Sequence, residues 1–95
     1  MRIISPKKLR AFGERHPDSL AALLAWYRVA RAAEWKNFAE VRRIYPHADQ
    51  VGNKTVFNIR GNTYRLIVAI HYNTGKIFIR DVLTHAEYDR GDWRD

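Results

Sequence analysis

The residues best suited to chemistry stand near the end of the chain, in Thr84-His85-Ala86-Glu87-Tyr88-Asp89. His85 and Tyr88 are three apart, so a single helical turn would project them together. An imidazole exchanges protons near neutral pH, and a phenol donates, accepts or stacks on a base. Upstream, Arg65 offers a fork of donors matched to phosphate oxygens. An RNA chain breaks when its 2′-hydroxyl loses a proton, the scissile phosphate is neutralised and the leaving 5′-oxygen gains a proton. His85 and Tyr88 for the protons, with Arg65 for the phosphate, would supply those functions. The same segment also reads as a helix cap with some packing, and the residues alone leave both readings open.

Arg65 gains its place from a predicted hairpin. Thr55–Arg60 and Thr63–Tyr72 are rich in Val, Ile, Phe and Tyr, with Gly61-Asn62 as a two-residue turn between them. That register sets Arg60 opposite Thr63, Asn58 opposite Arg65 and Val56 opposite Ile67, and cross-strand partners share a face. Phe57, Ile59, Tyr64, Leu66, Val68 and Ile70 then form the core face. Asn58, Arg60, Thr63 and Arg65 form the other, where two arginines and an amide suit a phosphate backbone. Polar residues on an exposed sheet face are also ordinary. Asn73-Thr74-Gly75 makes the next turn, before Lys76–Leu83. A two-residue turn there aims Arg80 to the side of Arg65, and a three-residue turn with a bulge at Gly75 aims it inward.

The elements that must carry these strands come first in the chain. Met1–Ile4 suits a short strand. Ser5 then reads as the N-cap and Pro6 as the first position of a helix that Pro17 ends. Asp18 is placed to cap a second helix, with Leu20, Leu23, Leu24, Tyr27 and Ala30 on one side. Trp26 and Trp35 read most simply as core. A third helix should start at Asn37, with Glu40 completing a capping box and Phe38, Val41 and Ile44 on one face. Helices first and an antiparallel meander afterwards describe an α+β fold, helices covering one sheet face and leaving the other open. Ninety-five residues predict a single domain over 1–95.

Composition narrows the function classes. Seventeen Lys and Arg against ten Asp and Glu give a net charge of +7, which favours a polyanionic partner. Residues 1–45 carry +6, residues 46–80 carry +4 and the last fifteen carry −3. Cysteine is absent, so neither disulfides nor thiolate metal sites are expected, and a reducing cytoplasm is the simplest compartment. The start lacks a signal-peptide run, and the apolar stretches are too short to span a bilayer. His71, Asp81, His85, Glu87 and Asp89 offer no recognised metal-ligand spacing. No phosphate-cradling glycine loop or nucleophile elbow is present. Neither a metal nor another cofactor is expected.

Several longer segments, in order, resemble the HigB branch of the RelE-like toxins over nearly the whole chain. They are Arg2-Ile3-Ile4-Ser5-Pro6-Lys7-Lys8-Leu9, His16-Pro17, Trp26-Tyr27, Ala33-Glu34-Trp35-Lys36-Asn37, the run from Val56 to Leu66, Phe78-Ile79-Arg80 and Thr84 to Asp89. Phe38 stands where that pattern leads one to expect a proline, and Arg90 to Asp95 match nothing in it. The resemblance implies a RelE-like fold and metal-independent cleavage of messenger RNA, often on the translating ribosome. It also implies inhibition by a helix-turn-helix, HigA-like antitoxin, with operator DNA bound through the antitoxin complex. By position it implies Arg65 as the phosphate arginine and His85 and Tyr88 as acid, base or stacking groups. Lys54, Arg60 and Arg80 become substrate-binding candidates beside Asn58. A non-catalytic toxin or degenerate copy of the same fold, acting by binding a protein or RNA, is the alternative.

Overall fold

The computed structural model describes residues 1–94. Three helices and a five-stranded sheet are followed by a fourth, short helix. In chain order they are β1 (Arg2–Ile4), α1 (Lys7–Arg15), α2 (Leu20–Ala32), α3 (Phe38–Ile44), β2 (Asp49–Val51), β3 (Lys54–Ile59), β4 (Tyr64–His71), β5 (Lys76–Thr84) and α4 (His85–Arg90). The strand order is β1-β5-β4-β3-β2. Strands β3 to β5 form the expected antiparallel meander, β2 adds a further antiparallel strand on β3, and β1 joins β5 in parallel, so the sheet is mixed. The architecture is α+β. No helix is long and apolar enough to cross a membrane among the described residues.

The β3–β4 register follows the alternation in the sequence, with Val56 paired to Ile67, Asn58 to Arg65 and Ile59 to Tyr64. Phe57, Ile59, Tyr64, Leu66 and Val68 are buried beneath the helices. Trp26 and Trp35 join them: the Trp26 ring meets Phe57 edge-on at 5.4 Å, and Trp35 lies near-parallel to Phe57 at 6.4 Å.

Local expectations change at the helix starts. Ser5 does not cap α1. Its φ of 64° turns the chain sharply out of β1, a conformation a residue with a Cβ adopts only under constraint, and Pro6 takes the cap position without a side-chain hydrogen bond. Asp18 does not cap α2, because a 3-10 turn over Pro17–Ser19 delays the helix. Its carboxylate instead accepts hydrogen bonds from the Tyr64 hydroxyl (2.7 Å) and Arg60 Nη1 (3.1 Å). Asn37 caps α3 as expected, accepting from the Glu40 N–H, but the Glu40 carboxylate reaches Lys36 N rather than closing the box on Asn37.

The apolar stripe of α2 also divides. Leu23, Trp26 and Ala30 are buried, whereas Leu20 and Leu24 stay 39% and 44% exposed. The reason is the approach of α1, which meets only the flank of that stripe. A Cβ on Gly13 would lie 2.7 Å from Leu20 Cδ1, so the two helices touch there and splay around an apolar groove of about 770 Å³. On α3, Val41 is buried but Ile44 is 56% exposed, since this seven-residue helix ends before a second turn can tuck it in.

Candidate active site

The sheet face away from α1–α3 carries its own small cluster. Val56, Ile67 and Trp93 are buried together, with Val51, Leu83 and Tyr88 packed against them. The chain reaches this face through α4. Thr84 caps that helix in a full capping box: its hydroxyl accepts from Glu87 N (3.2 Å), and its own N–H donates to Glu87 Oε1 (2.9 Å). Gly91 ends it with φ at 79°, the left-handed geometry that only glycine adopts without penalty. The turn over Asp92–Arg94 then lays Trp93 on the sheet. The cap is therefore present, and it serves to aim Tyr88 and Trp93.

Trp93 and Tyr88 stack with centroids 4.9 Å apart and planes 13° apart, and Trp93 Nε1 donates to the Tyr88 carbonyl at 2.9 Å. The Arg65 guanidinium lies 5.2 Å from the centroid of the Tyr88 ring. Arg65 Nη1 donates to the carbonyls of Asn62 (3.0 Å) and Tyr64 (3.3 Å), and Nη2 donates to the Asn62 side-chain oxygen. A guanidinium has five N–H groups, so these bonds fix its plane and leave donors for an anion. Ordering the group beforehand lowers the cost of binding a phosphate.

Arg65, Tyr88 and Asn58 line a cleft of about 350 Å³. Its lining also holds Arg42, His47 and Asp49, none of which the sequence pattern singles out. They arrive through the turn after α3, where Arg42 Nη2 donates to the Pro46 carbonyl (2.9 Å) and Ala48 N donates to the Tyr45 carbonyl (3.0 Å). The three-residue strand β2 pairs Asp49 with Val56 and anchors that part of the lining. A histidine behind Tyr45-Pro46, directly before the strand region, was the available signal. Without β2 in view, nothing joined it to the sheet.

The other expected residues divide between places. His85 is about half exposed, with Nδ1 3.0 Å from Asp89 Oδ2, and it does not line the cleft. Lys54 and Arg80 share a second cleft of about 330 Å³ with Asp81 and Trp93. The Tyr88–Trp93 stack stands between the two clefts. Neither turn considered for Arg80 occurs. His71 pairs with Lys76 around a four-residue loop, and a bulge further on lets Arg80 fall between the pairs Val68–Ile79 and Ile67–Asp81. Arg80 faces outward by the alternation that sets Ile77 and Ile79 inward, and the extra residue re-aims Asp81, so that Val82 returns to the core. Arg60 is the correction on the first hairpin. A φ of 52° lifts it out of the strand, and its side chain swings to Asp18 instead of standing beside Arg65.

Two histidines lie elsewhere. His16 stacks on Phe12 at 4.4 Å, and His71 lies 4.8 Å from the Phe78 ring. Tyr64 is held above the usual tyrosine range, first by its hydrogen bond to Asp18 and then by burial. It serves as a structural tie and not as a proton carrier.

Residues 19–91 match a family model described as HigB_toxin, RelE-like toxic component of a toxin-antitoxin system. The mRNA interferase toxin HigB of Escherichia coli K12 is 28% identical over 92 residues, covering 94% of this chain and 88% of the relative. The mRNA interferase HigB of Shigella flexneri gives the same figures, 28% over 92 residues. A third relative, the mRNA interferase HigB of Escherichia coli O6:H1, is 28% identical over 93 residues, 95% of this chain and 90% of its own length.

Proposed function

The chain belongs to the HigB toxin family, the RelE-like toxic component of a toxin–antitoxin system, and from that premise we propose that it is a metal-independent endoribonuclease cutting messenger RNA. The carrying observation is the ordered Arg65 guanidinium, set against the Tyr88 ring at the edge of an open polar cleft. A phosphate on the free donors of Arg65 would be neutralised as charge builds on it. Tyr88, backed by Trp93, offers a hydroxyl for proton transfer and a ring face for a base. Asn58 contacts the same nucleotide, and Lys54 and Arg80 hold flanking phosphates beyond the aromatic stack. Arg60, committed to Asp18, contributes at most at the hairpin tip. His85 stands at the rim of α4 and reaches only substrate that extends past Tyr88.

The cleft is shallow and open, which suits a strand presented by a larger body, so the message is cut on the translating ribosome in the cytoplasm. A small helix-turn-helix antitoxin, HigA-like, restrains the toxin, and operator DNA is bound only through that complex. The toxin acts as one domain over residues 1–95.

The test is a translating extract with end-labelled message, run beside free RNA and an Arg65→Ala chain. Cuts by the native chain should fall about 100-fold or more in the variant, the scale of losing one transition-state donor. Uncut message with folded protein would overturn the nuclease reading in favour of a toxin that acts by binding.

A further inference from the structure

We propose that His47, rather than His85, takes the 2′-hydroxyl proton in the reaction, an assignment that rests on the nuclease reading above. Of the four histidines in the chain, His47 alone lines the cleft that holds Arg65 and Tyr88. His16 is stacked on Phe12, and His71 lies over Phe78. His85 is engaged with Asp89 on the exposed side of α4. A general base must lie within reach of the proton it removes, so geometry selects before acidity does.

His47 is exposed, but the backbone that carries it is held on both sides. Before it stands Pro46, whose ring fixes one backbone angle and whose carbonyl is bound by Arg42. After it comes Ala48, fully buried, and then Asp49 in register with Val56. The imidazole thus hangs from a fixed turn on the lining of the cleft that Tyr88 shares. The charged and titratable groups sharing its cleft are Arg42, Asp49, Arg65 and Tyr88. Arg42 and Arg65 give the cleft two cations for a phosphate, and Asp49 is the one carboxylate among its lining residues.

The step balances without another reactant. His47 accepts the 2′-hydroxyl proton as the 2′-oxygen bonds to phosphorus. The bond from phosphorus to the 5′-oxygen breaks, and that oxygen takes a proton from Tyr88. Solvent carries the proton from His47 back to Tyr88. The products are a 2′,3′-cyclic phosphate and a 5′-hydroxyl.

The experiment uses ribosomes programmed with an end-labelled message and compares the native chain with His47→Ala, His47→Gln and His85→Ala. Both His47 variants should cut about 100-fold or more slowly at saturating ribosome complex, with KM little changed. A message with a 2′-deoxy substitution at the cut position should bind the native and His47→Ala chains equally, showing that the cleft is intact. His85→Ala should lose less activity than either His47 variant, as a rim contact and not a proton carrier. His47 variants that cut within about threefold of native would overturn the assignment and leave the nuclease reading standing. A native chain that cuts nothing would overturn both.

Discussion

The two faces of the sheet are built on different principles. The face under α1–α3 is a continuous apolar layer in which Phe57, Leu66 and Val68 meet Trp26 and Leu23, all essentially solvent-free. The opposite face holds only a small buried cluster of Val56, Ile67 and Trp93, with polar clefts on either side of the Tyr88–Trp93 stack. One face uses burial to hold the fold. The other uses a small amount of burial to hold a tool, because the patch under Trp93 fixes Tyr88, and Tyr88 lies against Arg65. Stability and function are thereby separated across the thickness of one sheet.

Cutting into each face should expose that separation. Phe57→Ala removes a fully buried ring that Trp26, Trp35 and Tyr45 all touch. It should cost about 3–5 kcal/mol in denaturant unfolding, with cleavage per folded molecule unchanged. Trp93→Ala should cost less, about 2–3 kcal/mol, because the smaller cluster can collapse around the loss. Its cleavage per folded molecule should nonetheless fall about tenfold or more, since Tyr88 loses both its stacking partner and the hydrogen bond to its carbonyl. If Trp93→Ala lowered stability alone, the outer cluster would be a second core and not a support for the site.

The same contrast explains what could be read from the sequence. The core face is legible because the Gly61-Asn62 turn fixes the register of the hairpin, and side-chain alternation along each strand then sets Phe57, Ile59, Tyr64, Leu66 and Val68 on one side. The placement of Arg65 and Tyr88 in the fold is legible for similar reasons, one by strand parity and one by its place in a capped turn. Arg60 was misjudged because a single left-handed residue at the hairpin overrides parity. Arg80 stays ambiguous in the sequence because the length of the loop before it, four residues between His71 and Lys76, decides its direction. His47 and Trp93 were missed since each reaches the sheet through a segment of three residues, too short to show a period. Leu20 and Leu24 misled in the other direction: helical spacing predicts a face, but only the neighbouring helix decides how much of it is covered.

The smallest expected effect lies at the hinge between the two regions, where β5 passes into α4. Thr84→Ala should cost about 1 kcal/mol, the usual value of an N-cap, and the loss should be confined to α4 and the Trp93 turn. The cap also carries a pH dependence of known sign. Glu87 is held below the usual carboxylate range, chiefly by the backbone hydrogen bond from Thr84; burial opposes this, and the Thr84 hydroxyl, Arg90 and His16 assist. A carboxylate depressed in the folded state stabilises the fold above its unfolded value, and that stabilisation drains away as the pH falls through the folded value. Hydrogen-exchange protection of the α4 amides, corrected for intrinsic rates, should therefore decline on acidification while that of β4 holds. Glu87→Gln keeps an oxygen for the Thr84 N–H but cannot titrate, so its α4 protection should be slightly lower at neutral pH and flat below it. Equal acid loss in α4 and β4 would mean that the site-bearing helix does not open independently of the core, and the separation of the two faces would fail at the point where they join.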